Sequence, residues 1–122
     1  MKSPHKGIKR LFNAFLYSKE GFTAAYKSEE AFRLEVILFV IFTVIACFLP
    51  VAILTKAFLI SSLFLVLLME LTNTAIEVVI DRISAEYHPL SKKAKDIGSL
   101  LVLLSLLNAG VVWLAALISI FY

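Results

Sequence analysis

Residues Ala57–Ile83 read AFLISSLFLVLLMELTNTAIEVVIDRI. From Ala57 to Met69 the segment carries no charge. Glu70, Asn73, Glu77 and Asp81 then enter, with no proline or glycine to end the helix. Spacings of 3, 4 and 4 place these four side chains within about 80° of one another on a 3.6-residue helix, as a stripe about 16 Å long. The apolar part reads as a membrane span, with Asp81 at one boundary and Glu70 roughly one to two turns inside it. An ionisable group within a span costs several kcal/mol and persists only when paired, protonated or needed. Glu70 and Glu77 are therefore candidate site residues, and the chain is read as an all-α membrane protein.

The rest of the chain fits around this helix. Of 122 residues, 61% are hydrophobic, well above the ~45–50% usual in soluble domains. A bilayer core takes ~20 residues per span, so three spans and their flanks use up one domain, 1–122. No room remains for a soluble catalytic domain, and any chemistry must sit on the helices or their connectors. The first span is expected over about 31–49, ended by Pro50. The second runs over about 53–84 and the third over about 90–121, apolar from Ile97 onward. Pro89 pushes His88 out of the helical region, so Tyr87-His88-Pro89 reads as a connector. Over about 5–29, Ile8, Leu11, Phe12, Phe15 and Leu16 recur with helical period among Lys6, Lys9, Arg10 and Lys19. That is a basic amphipathic helix suited to the headgroup region. Gly21 is expected to break or bend it.

Twelve Lys/Arg against nine Asp/Glu give a formal charge of +3. The cations flank apolar runs, so they read as membrane flanks and not as a nucleic-acid surface. Seven lie at or before Arg33 and four between spans two and three, while only Lys56 lies between spans one and two. This asymmetry predicts a cytoplasmic N-terminus, a cytoplasmic second loop and a periplasmic C-terminus. Cys47, the one cysteine, reads as a small hydrophobe. Val44-Ile45-Ala46-Cys47 loosely suggests a lipoprotein cleavage site, but the long preceding stretch with four glutamates argues against a processed signal. His5 and His88 are lone histidines, read as surface residues, and no glycine-rich phosphate loop is present.

A basic cluster, Lys92, Lys93 and Lys95 with Asp96, precedes span three. A short loop returns it toward Glu77 and Asp81. Carboxylates beside lysines at a membrane boundary can form a structural ion-pair network. They can equally hold Mg²⁺ and a polyphosphate, with oxygens for the metal and lysines for the phosphates. An acidic row in a membrane helix also suits a proton or ion pathway. Residue chemistry by itself leaves these open.

The string Glu70-Leu-Thr-Asn73-Thr74-Ala75-Ile76-Glu77, followed by Asp81-Arg82, Tyr87-His88 and Ala94-Lys95-Asp96-Ile-Gly98-Ser99, resembles the bacterial integral-membrane diacylglycerol kinase family. The likeness extends to Glu29, Ala31-Phe32-Arg33, Glu35, Trp113 and the amphipathic N-terminus. It implies a homotrimer of three-span protomers in the bacterial inner membrane, with composite active sites on the cytoplasmic side. It implies transfer of the γ-phosphoryl of MgATP to diacylglycerol, giving phosphatidic acid for lipid recycling. Residue by residue, the resemblance makes Glu70 the general base, Asn73 a positioning residue and Lys95 a catalytic cation. It makes Glu29 and Glu77 the Mg²⁺ ligands. ATP contacts fall on Arg10, Tyr17, Glu29, Glu77, Glu86, Tyr87, His88, Lys95 and Asp96. The implied lipid site begins on the surface helix with Arg10, Ala14, Phe15, Leu16, Tyr17, Ser18 and Lys19, then Thr23, Ala24, Ala25 and Tyr26. It continues through Ala31, Phe32, Arg33, Leu34 and Glu35, then Phe48, Leu49, Pro50, Val51 and Lys56, with Glu70, Ser99 and Trp113.

Physical chemistry agrees with those roles. Phosphoryl transfer needs positioning and charge neutralisation more than covalent help, and a carboxylate at the boundary meets a hydroxyl that the lipid itself presents there. Two features depart from the family pattern. Leu100 and Leu101 follow Ser99 where small residues are usual, and Lys19 stands where an aromatic would be expected. Other readings are a polyprenol kinase of the same family, a small proton- or ion-conducting protein, and a purely structural bundle.

Overall fold

The computed structural model describes residues 6–122. His5, Lys2 and the start of the surface helix at residue 5 lie outside the described residues. Four helices follow one another: α1 (Ile8–Ser28), α2 (Glu30–Phe48), α3 (Ile53–Ile83) and α4 (Pro89–Phe121). The last three are long and apolar enough to cross a membrane.

α1 runs unbroken through Gly21, contrary to the expected break. One glycine costs a helix interior only about 1 kcal/mol, which its neighbours outweigh. Ile8, Leu11, Phe12 and Phe15 stay exposed along its first half. Only its end is anchored: Ala25 is buried, and Phe22 packs edge-on against Phe32 at 5.5 Å between ring centroids. Glu29 is extended and separates α1 from α2.

α2 ends where Pro50 forces it to end, with Leu49 extended at φ −70° and ψ 143°. α2 and α3 then run antiparallel. Phe39 meets Phe64 with ring centroids 4.6 Å apart, and Ala46, Leu59 and Ala116 form a buried cluster at the far end. α4 returns antiparallel to α3, and Lys95 reaches back to Asp81. His88 is extended, and its imidazole Nδ1 accepts from the Leu90 backbone N–H at 3.1 Å. With Pro89 in the first turn, that is a complete N-terminal cap.

Two cations close the C-terminal ends of neighbouring helices. Arg33 Nη1 donates to the carbonyls of Tyr26 and Lys27, both at 2.9 Å. Lys56 Nζ donates to the Cys47 carbonyl at 2.8 Å. The last carbonyls of a helix lack partners within it and carry the negative end of its dipole. A cation from the next helix satisfies both.

Candidate functional site

The acidic row on α3 lies between two cavities of opposite character. At its centre Glu70 is 8% exposed and buried against its neighbours. Glu35 on α2 is its neighbour there. One Glu35 oxygen, Oε2, is buried without a partner. Glu77 and Glu29 stand near enough to Glu70 for their charges to act on it. Four glutamates from three segments of chain therefore converge on one end of the bundle.

Asn73 is held on both sides. Its Nδ2 donates to Glu77 Oε1 at 3.3 Å. Its Oδ1 is buried without a hydrogen bond and faces Gly98 of α4, where a Cβ would overlap it. Gly98 is itself buried, so the absence of its side chain is what lets Asn73 fit between α3 and α4. Sequence reasoning placed Gly98 in the motif without a task. The available signal was a glycine inside an otherwise helical run.

Beyond Asp81 the α3–α4 hairpin encloses an open cavity of about 470 Å³. Small-molecule sites are usually about 300–1,000 Å³. Glu86, Tyr87, His88, Lys95 and Asp96, five of the residues that the resemblance gives to the nucleotide, all line it. Its charges are paired: Lys95 with Asp81 at 3.0 Å and Lys92 with Asp96 at 2.6 Å. Lys92, Asp96 and Asp81 are largely exposed and Lys95 is partly so, so these pairs can exchange for a ligand at small cost. The Ser84 hydroxyl accepts from the Glu86 backbone N–H at 3.0 Å and shapes the hairpin.

The fit to a divalent cation can be judged from the donors. Among the described residues no group of three or more His, Cys, Asp or Glu stands close enough to hold a metal alone. Glu29 makes no capping bond with its side chain, and Glu77 accepts only the long bond from Asn73. Two available carboxylates are what Mg²⁺ commonly takes from a protein, with substrate phosphates and water completing its octahedron. The donors fit that ion and not a soft one.

The remaining implied residues are spread out. Arg10 and Tyr17 sit on the exposed half of α1, with Ala14, Phe15, Leu16 and Lys19. Ser18 and Thr23 turn their hydroxyls to Ala14 and Lys19 carbonyls of their own helix, each at 2.9 Å. Ala25 and Phe32 are buried in the α1–α2 joint, and Arg33 serves there as a cap. Ala24, Tyr26, Ala31 and Leu34 are exposed around that joint, and Ser99 is exposed beside Gly98. Phe48, Leu49, Pro50, Val51 and Lys56 form the opposite connector. Trp113 packs there too, against the Ala46–Leu59–Ala116 cluster. Leu59 lies eleven residues from Glu70, or about 16 Å along α3. One chain therefore does not gather the implied lipid residues into one place.

Fold and site together define a small helical membrane protein with a buried glutamate, Glu70, and a half-buried one, Glu35, between a polar cavity and its apolar interior. The chain belongs to the prokaryotic diacylglycerol kinase family, whose sequence profile matches residues 16–117. It is 46% identical over 107 residues to a diacylglycerol kinase of Escherichia coli strain K12, covering 88% of each chain. It is 45% identical over 114 residues to one of Pseudomonas aeruginosa, covering 91% of this chain and 93% of the relative. To one of Helicobacter pylori strain J99 it is 40% identical over 117 residues, covering 96% and 91%.

Proposed function

We propose that this protein phosphorylates diacylglycerol with ATP, giving phosphatidic acid at the cytoplasmic face of the bacterial inner membrane. The observation that carries the reading is the position of Glu70. It is buried against Glu35 at the inner end of an acidic row whose outer end opens into the hairpin cavity. Family membership and relatives named diacylglycerol kinase support the same reading.

In this scheme the hairpin takes the nucleotide, with Lys95 on the phosphates and Glu86, Tyr87, His88 and Asp96 around the rest. Arg10 and Tyr17 come from the surface helix of a neighbouring copy in a homotrimer, since in one chain α1 packs on α2. Glu29 and Glu77 hold Mg²⁺. When bound, that ion neutralises charge on the transferring phosphoryl oxygens. Glu70 takes the proton of the lipid hydroxyl as that oxygen bonds to the γ-phosphorus and the bond to the β-phosphate oxygen breaks. Asn73 fixes Glu77 and the spacing of α3 from α4. The Lys/Arg asymmetry supports a cytoplasmic N-terminus and hairpin, and a periplasmic C-terminus.

The test is transfer of ³²P from MgATP to diacylglycerol in mixed micelles by the wild type and Glu70→Gln. A parallel arm offers undecaprenol. Transfer to diacylglycerol that disappears in Glu70→Gln supports the scheme. Retained transfer in that variant overturns the base assignment, and preference for the polyprenol overturns the substrate.

A further inference from the structure

We propose that the outer face at the start of α4 holds the headgroup of an anionic phospholipid, with one acyl chain lying along the helix below it. The ligand is a phosphodiester lipid of the surrounding bilayer, such as phosphatidylglycerol. It is neither the lipid substrate nor the nucleotide of the scheme above, and the proposal stands independently of that scheme.

The site is an open cavity of about 400 Å³ lined by Pro89, Lys92, Lys93, Asp96, Ile97 and Leu100. It is distinct from the hairpin cavity but shares one wall with it, the Lys92–Asp96 pair. Lys93 is exposed and lines the outer cavity alone. Lys92 and Lys95 have carboxylate partners within the protein, whereas Lys93 has none among the described residues. Two cations thus face the cavity against one carboxylate, and that carboxylate already holds Lys92 at 2.6 Å. The charge left over is positive and free to take an anion.

Below the cations the wall turns apolar. At about 100° per residue, Lys93, Ile97, Leu100 and Leu104 fall within about 60° of one another. That face is turned by about 130° from Gly98, which packs against Asn73 of α3. It therefore points away from the bundle, and Ile97, Leu100 and Leu104 are each about half exposed. Lys93 and Leu104 are eleven residues apart, or about 16 Å along the axis. One leaflet of a ~30 Å hydrocarbon core is ~15 Å deep. A free cation above an apolar strip one leaflet deep has the length and polarity of a single phospholipid.

In a membrane, hydrocarbon is everywhere, so the apolar strip by itself selects nothing. Selection comes from charge complementarity at the headgroup. A phosphatidylglycerol phosphate is a net anion, and lysines at a membrane surface attract such lipids in a salt-dependent way. Phosphatidylcholine carries its own cation beside the phosphate and offers no net charge. A soluble phosphate would satisfy the lysines but leave Ile97 and Leu100 without a partner. A lipid held here anchors the first turns of α4, and with them the wall shared with the hairpin cavity.

The experiment titrates the full-length protein in neutral detergent with phosphatidylglycerol, and separately with phosphatidylcholine of the same acyl chains. Bound lipid is counted by native mass spectrometry. Wild type should bind phosphatidylglycerol the more tightly. Lys93→Ala should weaken the tightest phosphatidylglycerol site about fivefold and leave phosphatidylcholine unchanged. Lys93→Arg should restore the affinity, and Lys9→Ala on the basic surface helix should leave this site as it is. Lys93 is exposed, so its replacement leaves the fold intact, which an unchanged thermal midpoint checks. Phosphatidylglycerol binding untouched by Lys93→Ala overturns the proposal, as does equal weakening of both lipids. Displacement of the lipid by inorganic phosphate or MgATP gives the lysines to a soluble phosphate and overturns it too.

Discussion

Gly98→Ala tests how the site is held. A Cβ at position 98 would overlap Asn73 Oδ1, stand 3.3 Å from Asn73 Cγ and reach 3.5 Å from Ile76 Cδ1. Overpacking of this kind costs about 1–3 kcal/mol, while alanine in place of glycine gains about 0.8–1.0 kcal/mol of helix propensity. The net loss of stability is about 0–2 kcal/mol, and the protein stays folded. Relief of the overlap takes one of two routes. Asn73 turns away and gives up its bond to Glu77, or α4 moves off α3 and carries Lys95 with it. In the proposed scheme either displaces a group beside the reacting atoms, and a misplacement of about 1 Å can cost 10²-fold in rate. Expected is a kcat/KM for MgATP about 100-fold down, with a thermal midpoint in detergent close to wild type. Adding Asn73→Ala removes the overlap, so stability should recover non-additively while activity does not. Activity of Gly98→Ala within about twofold of wild type would show that this contact does not set the site.

Other expectations follow from the joints and the charges. Arg33→Ala removes two charge-assisted bonds to the end of α1, worth about 1.5–3 kcal/mol each at most. Amide exchange over Ile8–Ser28 should accelerate well before that of α3, and unchanged exchange would place the anchor of α1 elsewhere. Asp81→Asn breaks an exposed ion pair, so stability should shift by less than about 1 kcal/mol. Lys95→Met should instead raise KM for MgATP, with stability again little changed. His88→Ala removes the α4 cap at a cost of about 0.5–2 kcal/mol, read as a lower thermal midpoint. Chelation by EDTA should abolish transfer, and Glu29→Gln should raise the Mg²⁺ concentration needed to restore it.

The acidic row was readable because period and chemistry coincide on one helix: Glu70, Asn73, Glu77 and Asp81 share a face whatever surrounds them. Pro50 and Pro89 likewise announced their boundaries, since a proline constrains the residue before it. Contacts that depend on the register between helices were not readable. Glu35 and Glu70 lie on different helices, and nothing in either segment says that they are neighbours. Arg33 and Lys56 carry the same difficulty. The resemblance gives both to the lipid, yet the fold spends them on helix ends, because a free carbonyl beside them is a tertiary fact. Gly21 was misread for a plainer reason: local propensity is weak, and twenty helix-compatible neighbours outvote one glycine.

α2 is 19 residues long and α3 is 31, or about 28 and 46 Å. The two are level at Ala46 and Leu59, so most of the excess of α3 stands on the side of the acidic row. Arg33 and Lys56 tie the two ends of α2 to its neighbours, which fixes the height of Glu70 relative to the shortest span. The thickness of the surrounding bilayer then becomes a variable of the reaction. A thicker membrane draws the carboxylate pair down among acyl chains, and a thinner one lifts it toward the headgroups. Hydrophobic mismatch, usually an influence on helix tilt, would here be read out as the depth at which a lipid hydroxyl meets Glu70 in the proposed reaction.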